Sequence, residues 1–156
     1  MVNVLFVCLG NICRSPMAEA LFRHMLDKEN LTEKISVDSA GTGDWHIGNP
    51  PHEGTLNILE KYQISAKGLK ARQFQQDDLH TFHYVVAMDE QNVADIKALS
   101  DANPSAKVFR LLDLVGESDS KDVPDPYFTG DFEETYDLVS KGCRALLHLI
   151  KKEHQI

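Results

Sequence analysis

Eight consecutive residues, Cys8-Leu9-Gly10-Asn11-Ile12-Cys13-Arg14-Ser15, place a sulfur nucleophile, a turn and a guanidinium in one loop. A strand-like run, Val2 to Val7, precedes them, and a helix-like run opens at Pro16. A loop that leads into a helix carries backbone N–H groups with no intrahelical partner, and the helix dipole adds partial positive charge. Such a loop cradles a tetrahedral oxyanion such as phosphate. The same field favours the thiolate, the nucleophilic form of a cysteine. Arg14 adds a planar fork of donors that matches two phosphate oxygens. Gly10 and Asn11 tolerate left-handed backbone angles, which successive N–H groups need in order to converge on one point. Pro16 suits the first turn of a helix, and Ser15 suits either a helix cap or a hydrogen bond to the Cys8 sulfur. A bare Cys-x5-Arg spacing also arises by chance, and free cysteines are usually buried and inert. The preceding strand, the Gly-Asn pair and the Ser-Pro step favour the reactive reading.

If Cys8 attacks phosphorus, the leaving oxygen needs a proton, and a carboxylic acid is the usual donor. Asp125 in Val123-Pro124-Asp125-Pro126-Tyr127-Phe128 is the best candidate. Prolines on both sides stiffen the backbone and hold Asp125 extended, away from helix. Tyr127 and Phe128 are placed to wall a slot for a planar ring. Taken alone, the segment reads better as a rigid turn with a capping Asp; the cysteine loop reverses that preference.

These groups need a scaffold, and the chain alternates strand-like and helix-like runs. The strands are expected at Asn3 to Cys8, Ile35 to Ser39, His83 to Ala87 and Lys107 to Arg110. The helices are expected at Pro16 to Asn30, His52 to Tyr62, Asp89 to Leu99 and Asp131 to about Lys152. Apolar stripes run along Ala20, Leu21, Met25 and Leu26, along Leu56, Ile58 and Leu59, and along Leu138, Ala145, Leu146 and Leu149. Such alternation implies an α/β fold, a parallel sheet with helices on both faces. Open sheets of this kind bind ligands at the carboxyl ends of strands where strand order reverses, and the first strand ends at Cys8. Gly41 to Pro51 and Gly116 to Gly130 read as surface loops able to carry function.

The 156 residues suffice for one domain with a real core, with 42% hydrophobic and 26% charged residues. A formal net charge of −8 argues against nucleic-acid binding, which needs a basic face. No basic, apolar leader and no membrane-length segment stand out, so the expected location is the cytoplasm, with export lacking a signal peptide left open. Three cysteines make a disulfide framework improbable and point to a reducing compartment. The seven histidines are scattered; neither His46 with His52 nor His80 with His83 has metal-ligand spacing. No metal and no cofactor is expected.

Taken together, the chain resembles a low-molecular-weight protein tyrosine phosphatase of bacterial type. Val4 to Glu19 matches that family's N-terminal block nearly throughout. Asp38-Ser39-Ala40-Gly41-Thr42 followed by Trp45, then Ala87-Met88-Asp89-Glu90, then Asp125-Pro126-Tyr127, continue the match in order over essentially residues 1–156. The resemblance implies a Rossmann-like, four-stranded parallel sheet in the order 2-1-3-4. It implies hydrolysis of phosphotyrosine through a phosphocysteine on Cys8. Arg14 and the loop residues Leu9, Gly10, Asn11, Ile12, Cys13 and Ser15 would hold the phosphate, and Asp125 would protonate the leaving phenol and then activate water. Asn11, Ser15 and Ser39 would brace the loop, Asp89 would support Arg14, and Trp45, Tyr127 and Phe128 would line the entrance. The implied partner is a tyrosine-phosphorylated protein or peptide, met by a monomer or weak homo-oligomer. Phe128 stands where many members have a second Tyr. Leu69 and Lys70 stand where some have a His that steadies the loop Asn.

Two relatives offer other readings. A protein arginine phosphatase tends to carry Thr at the position of Ile12, and an arsenate reductase relays a disulfide through further cysteines. Cys143, on a distant helix, suits no such relay and reads as core. Cys13, five residues from Cys8, raises the expectation of a reversible Cys8–Cys13 disulfide, balanced against a plain packing role.

Overall fold

Strand β1 (Val2–Cys8) owes its central place to a run that is apolar on both faces. In the computed structural model, which describes residues 1–101, 103–116 and 121–156, its alternate side chains enter two separate cores. Val4, Phe6 and Cys8 join one cluster, and Leu5 and Val7 the other. All four side chains from Val4 to Val7 are fully buried, each contributing about 1.5–3 kcal/mol by the usual area relation. β1 pairs in parallel with β2 (Ile35–Gly41) on one side and β3 (Tyr84–Ala87) on the other, and β4 (Lys107–Arg110) extends β3. The order β2-β1-β3-β4, all parallel, is the one the resemblance implied.

Helices cover both faces. Helices α1 (Arg14–Lys28), α2 (Glu53–Lys61) and α6 (Phe132–His154) pack on the Phe6 side, where Phe22 meets Phe6 edge-on at 5.7 Å. Helices α3 (Asp78–Thr81) and α4 (Glu90–Leu99) close the other face with Leu79 and Ile96. A single helical turn, α5 (Pro126–Thr129), precedes α6. Because β1 is flanked by β2 and β3, strand order reverses at its carboxyl end, where Cys8 pairs in register with Gly41.

Local details depart from the sequence reading. α1 starts at Arg14 rather than Pro16, so Ser15 is helical and Cys13 takes the cap position, with no side-chain cap bond. Helix α3, and a 3-10 turn over Leu111–Leu114, are too short to show a period. On α6 the buried row is Val139, Cys143, Leu146, Leu147 and Ile150, while Leu138 and Leu149 are only half-buried. The expected stripe shares Leu146 with this row and otherwise lies beside it, because the middle turns of this helix offer more than one apolar residue. The expected loop over 116–130 contains α5, and its residues 117–120 lie outside the described residues.

Candidate active site

The loop between β1 and α1 turns on Asn11, which adopts φ of 57°; Gly10 does not take a positive φ. The amide side chain of Asn11 holds that conformation from three sides. Its Nδ2 donates to Ser15 Oγ at 2.7 Å and to Ser39 Oγ at 3.0 Å, while its Oδ1 accepts from the Arg72 backbone N–H at 2.9 Å. The main chain of Arg72 thus steadies the loop Asn, with Leu69 buried in the core and Lys70 exposed. Arg72 is itself fixed by its guanidinium on Asp38 and Asp78. Ser39 Oγ in turn donates to Glu19 Oε1 at 2.6 Å. Burial raises the Glu19 carboxyl above the ordinary range, against the lowering effect of its bonds from Ser39 and Arg23. The loop also lies close on β2: a Cβ at Gly41 would come 2.9 Å from the Leu9 carbonyl oxygen and 3.0 Å from the Asn11 nitrogen.

Cys8 Sγ lies 3.0 Å from Ser15 Oγ and accepts the Asn11 N–H at 3.3 Å. Ser15, expected as a cap or a partner of the Cys8 sulfur, therefore takes the second role. Arg14 is only 2% exposed. Its Nη1 donates to Asp89 Oδ2 at 2.5 Å and to the Val123 carbonyl at 3.0 Å, and its Nη2 to Asp125 Oδ2 at 3.2 Å. Burial opposes its charge, but the Cys8 sulfur, Asp89 and Asp125 outweigh burial and keep the guanidinium protonated. Its Nε is buried with no hydrogen-bond partner among the described residues, and a buried unpaired donor costs about 1–3 kcal/mol until something such as an oxyanion satisfies it.

Asp89 and Asp125 each divide their two oxygens between Arg14 and a helix end. Asp89 Oδ1 caps α4 through Asn92 N, and Asp125 Oδ1 caps α5 through Tyr127 N at 3.1 Å. Asp125 is extended, at φ of −82° and ψ of 111°, with Pro126 opening α5. The capping turn and the placed carboxylate, alternatives in the sequence, coincide in the structure.

Cys8, Leu9, Gly10, Ile12, Cys13 and Asp125 line a cavity of about 370 Å³, with Trp45, His46, Tyr127 and Phe128 around it. Trp45, Tyr127 and Phe128 are 66%, 55% and 74% exposed, the placement of a rim. His46, the Val123 carbonyl and the Arg72 N–H escaped the sequence reading. His46 had only its adjacency to Trp45 as a signal, and main-chain groups carry no residue-type signal at all. Cys13 is buried, and its thiol is pushed up to about 12 by burial first and then by Cys8 and Asp125. Cys143 is buried in α6 within the core. Among the described residues, no group of three His, Cys, Asp or Glu side chains is placed to hold a metal, and no helix is long and apolar enough to cross a membrane.

Residues 3–156 match the family model described as low molecular weight phosphotyrosine protein phosphatase. The chain is 53% identical over its whole length, and the whole of the other, to the low molecular weight protein-tyrosine-phosphatase YfkJ of Bacillus subtilis. It is 48% identical, over 98% of this chain and 96% of the other, to the low molecular weight protein-tyrosine-phosphatase PtpA of Staphylococcus aureus. The crystal structure of YfkJ from Bacillus subtilis superposes with a TM-score of 0.95, covering 98% of this chain and 96% of that one at 54% identity.

Proposed function

The chain belongs to the low molecular weight phosphotyrosine protein phosphatase family, and on that premise we propose that it hydrolyses protein phosphotyrosine by double displacement through Cys8. It is a phosphoric monoester hydrolase of the protein-tyrosine-phosphatase type. Phosphoryl transfer asks the protein for positioning and charge stabilisation more than for bond-making. In the first step the Cys8 sulfur forms a bond to phosphorus as the bond to the phenolic oxygen breaks. Asp125 gives that oxygen its proton, and the tyrosine leaves neutral. In the second step Asp125, now a carboxylate, takes a proton from water, and the water oxygen displaces sulfur to release inorganic phosphate and restore the thiolate. The N–H groups of the loop and Arg14 face the charge on the equatorial oxygens throughout. The two steps replace one difficult displacement.

The observation that carries this reading is the cavity shared by Cys8 and Asp125, residues far apart in the sequence, with Asp125 bound to Arg14. Apolar Ile12 and the rim of Trp45, Tyr127 and Phe128 suit an aryl group better than a phosphoguanidinium. Activity against phosphotyrosine, phosphoserine and phosphoarginine peptides at mildly acidic pH tests it, with Cys8→Ser as the control. The phosphotyrosine peptide should turn over fastest and the variant not at all. Preference for the phosphoarginine peptide, or residual turnover by Cys8→Ser, counts against the assignment.

A further inference from the structure

Helix α2 begins at a histidine that touches both halves of this site. The His52 backbone N–H donates to the Ile12 carbonyl at 2.7 Å, and Thr55 Oγ1 donates to the Cys13 carbonyl at 3.1 Å, so the first turn of α2 is tied to the phosphate loop. His52 Nδ1 accepts the Gly54 N–H at 2.9 Å, which caps the helix and fixes the imidazole. That ring stacks on Phe132, the first residue of α6, with centroids 5.1 Å apart and planes at 22°. It also meets the Tyr127 ring edge-on at 6.1 Å and 80°. Tyr127 is the residue whose N–H binds Asp125 Oδ1.

The rest of α2 reads as a brace. A Cβ at Gly54 would fall 2.4 Å from the Phe132 ring, so only glycine lets Phe132 approach this closely. At the other end of α2, Tyr62 stacks on Tyr136 with centroids 3.9 Å apart, Tyr62 Oη donates to Glu133 at 2.9 Å, and Lys61 pairs with Glu133. The turn that bears Asp125 has little burial of its own; of α5 only Pro126 is buried. The residue type at the cap is also telling. Ser, Thr, Asp or Asn caps a helix with a smaller side chain. A histidine there makes the same bond and adds a ring, and the ring is what reaches Phe132 and Tyr127.

We propose that His52 is a positioning residue for the acid step: its capped, stacked ring holds Tyr127, and through it the Asp125 carboxyl, in register with the phosphate loop. The proposal rests on the reading of Asp125 as the acid. Its test separates the two. His52→Asn keeps a cap acceptor and removes the ring, and Phe132→Leu removes the platform and keeps the cap. For both, and for Asp125→Asn and the His52→Asn/Asp125→Asn double variant, kcat/KM is measured over aryl phosphates of graded phenol acidity, with inorganic phosphate as a competitive inhibitor.

Asp125→Asn should depress the least acidic phenols most. His52→Asn should give the same pattern in part, a loss of roughly 10-fold at that end out of the ~10²–10⁴ a placed acid supplies. It should leave the most acidic phenols and phosphate inhibition nearly unchanged, and should add nothing in the Asp125→Asn background; Phe132→Leu should follow it. A uniform loss across the series, or no loss, while Asp125→Asn still steepens it, overturns the role of His52. A flat response to Asp125→Asn overturns the acid assignment itself and the coupling built on it.

Discussion

At the carboxyl end of the strands, a cavity of about 370 Å³ opens over Cys8 and Asp125; at the amino end, one of about 450 Å³ is lined by His83, Tyr84, Ser105, Lys107, Glu153 and His154. The second carries more His, Lys, Asp and Glu side chains, yet they are engaged locally. Lys107 Nζ pairs with Glu153 at 2.8 Å, the Tyr84 hydroxyl donates to the same carboxylate at 2.5 Å, and His83 Nδ1 accepts the Asn3 N–H. Lys107 is 62% exposed, so solvent screens its charge. The Tyr84 phenol is held protonated, by burial first and then by Glu153. At the carboxyl end Arg14 is buried and its three acceptors come from two separate segments, Asp89 before α4 and Val123 with Asp125 before α5, which leaves little freedom for its fork to move. What distinguishes a site from a cleft with charges is buried, immobilised donors directed by the fold, not their number.

Substitution at each end can break this contrast or sharpen it. The largest effect belongs to Cys8→Ser, which should abolish turnover of aryl phosphates while retaining inorganic phosphate binding by calorimetry; lost binding would mean that the sulfur shapes the cradle as well as the chemistry. Asp125→Ala should slow catalysis by roughly 10²–10⁴-fold, the range for a lost general acid. Arg14→Lys keeps the charge and loses the fork, and kcat/KM should fall by about 10²–10³ as for removal of a placed electrostatic donor.

A smaller effect concerns stability. Because burial raises the folded Glu19 carboxyl, the folded state binds that proton more tightly than the unfolded chain does. The associated stability is fully present below the ordinary carboxylate range and is lost as pH rises through the raised value. Glu19→Gln should therefore gain on the parent in melting temperature as pH climbs through that window, and a constant difference would refute the linkage. The smallest effect is at the far cleft. Lys107→Met should leave kcat/KM unchanged and move the melting temperature by no more than about 2 °C, as for an exposed ion pair. A marked loss of activity there would end the distinction between the two clefts.

The site was legible where chemistry follows the chain. Cys8 to Ser15 are neighbours in sequence, so strand, turn and helix start could be read together, and the carboxylate type required by that chemistry led to the Pro-flanked Asp125. Legibility failed where the decisive group is a backbone atom or where packing selects among equals. A main-chain N–H like that of Arg72 exists at every residue type but proline, and a carbonyl like that of Val123 at every type. The face of α6 around Val139 and Cys143 was chosen by what α1 and the sheet present to it, and the ring of His52 acquires meaning only beside Phe132 and Tyr127.

The sequence by itself determined the strand and helix alternation, the turn from Cys8 to Ser15 and the kinds of side chain available for chemistry, because period and backbone preference are properties of neighbouring residues. Only the tertiary structure decided that Asp89, Val123 and Asp125 meet on one guanidinium, and that a main-chain N–H holds Asn11. Those meetings depend on strand order and helix docking, which bring together groups from distant parts of the chain with no local pattern to announce them.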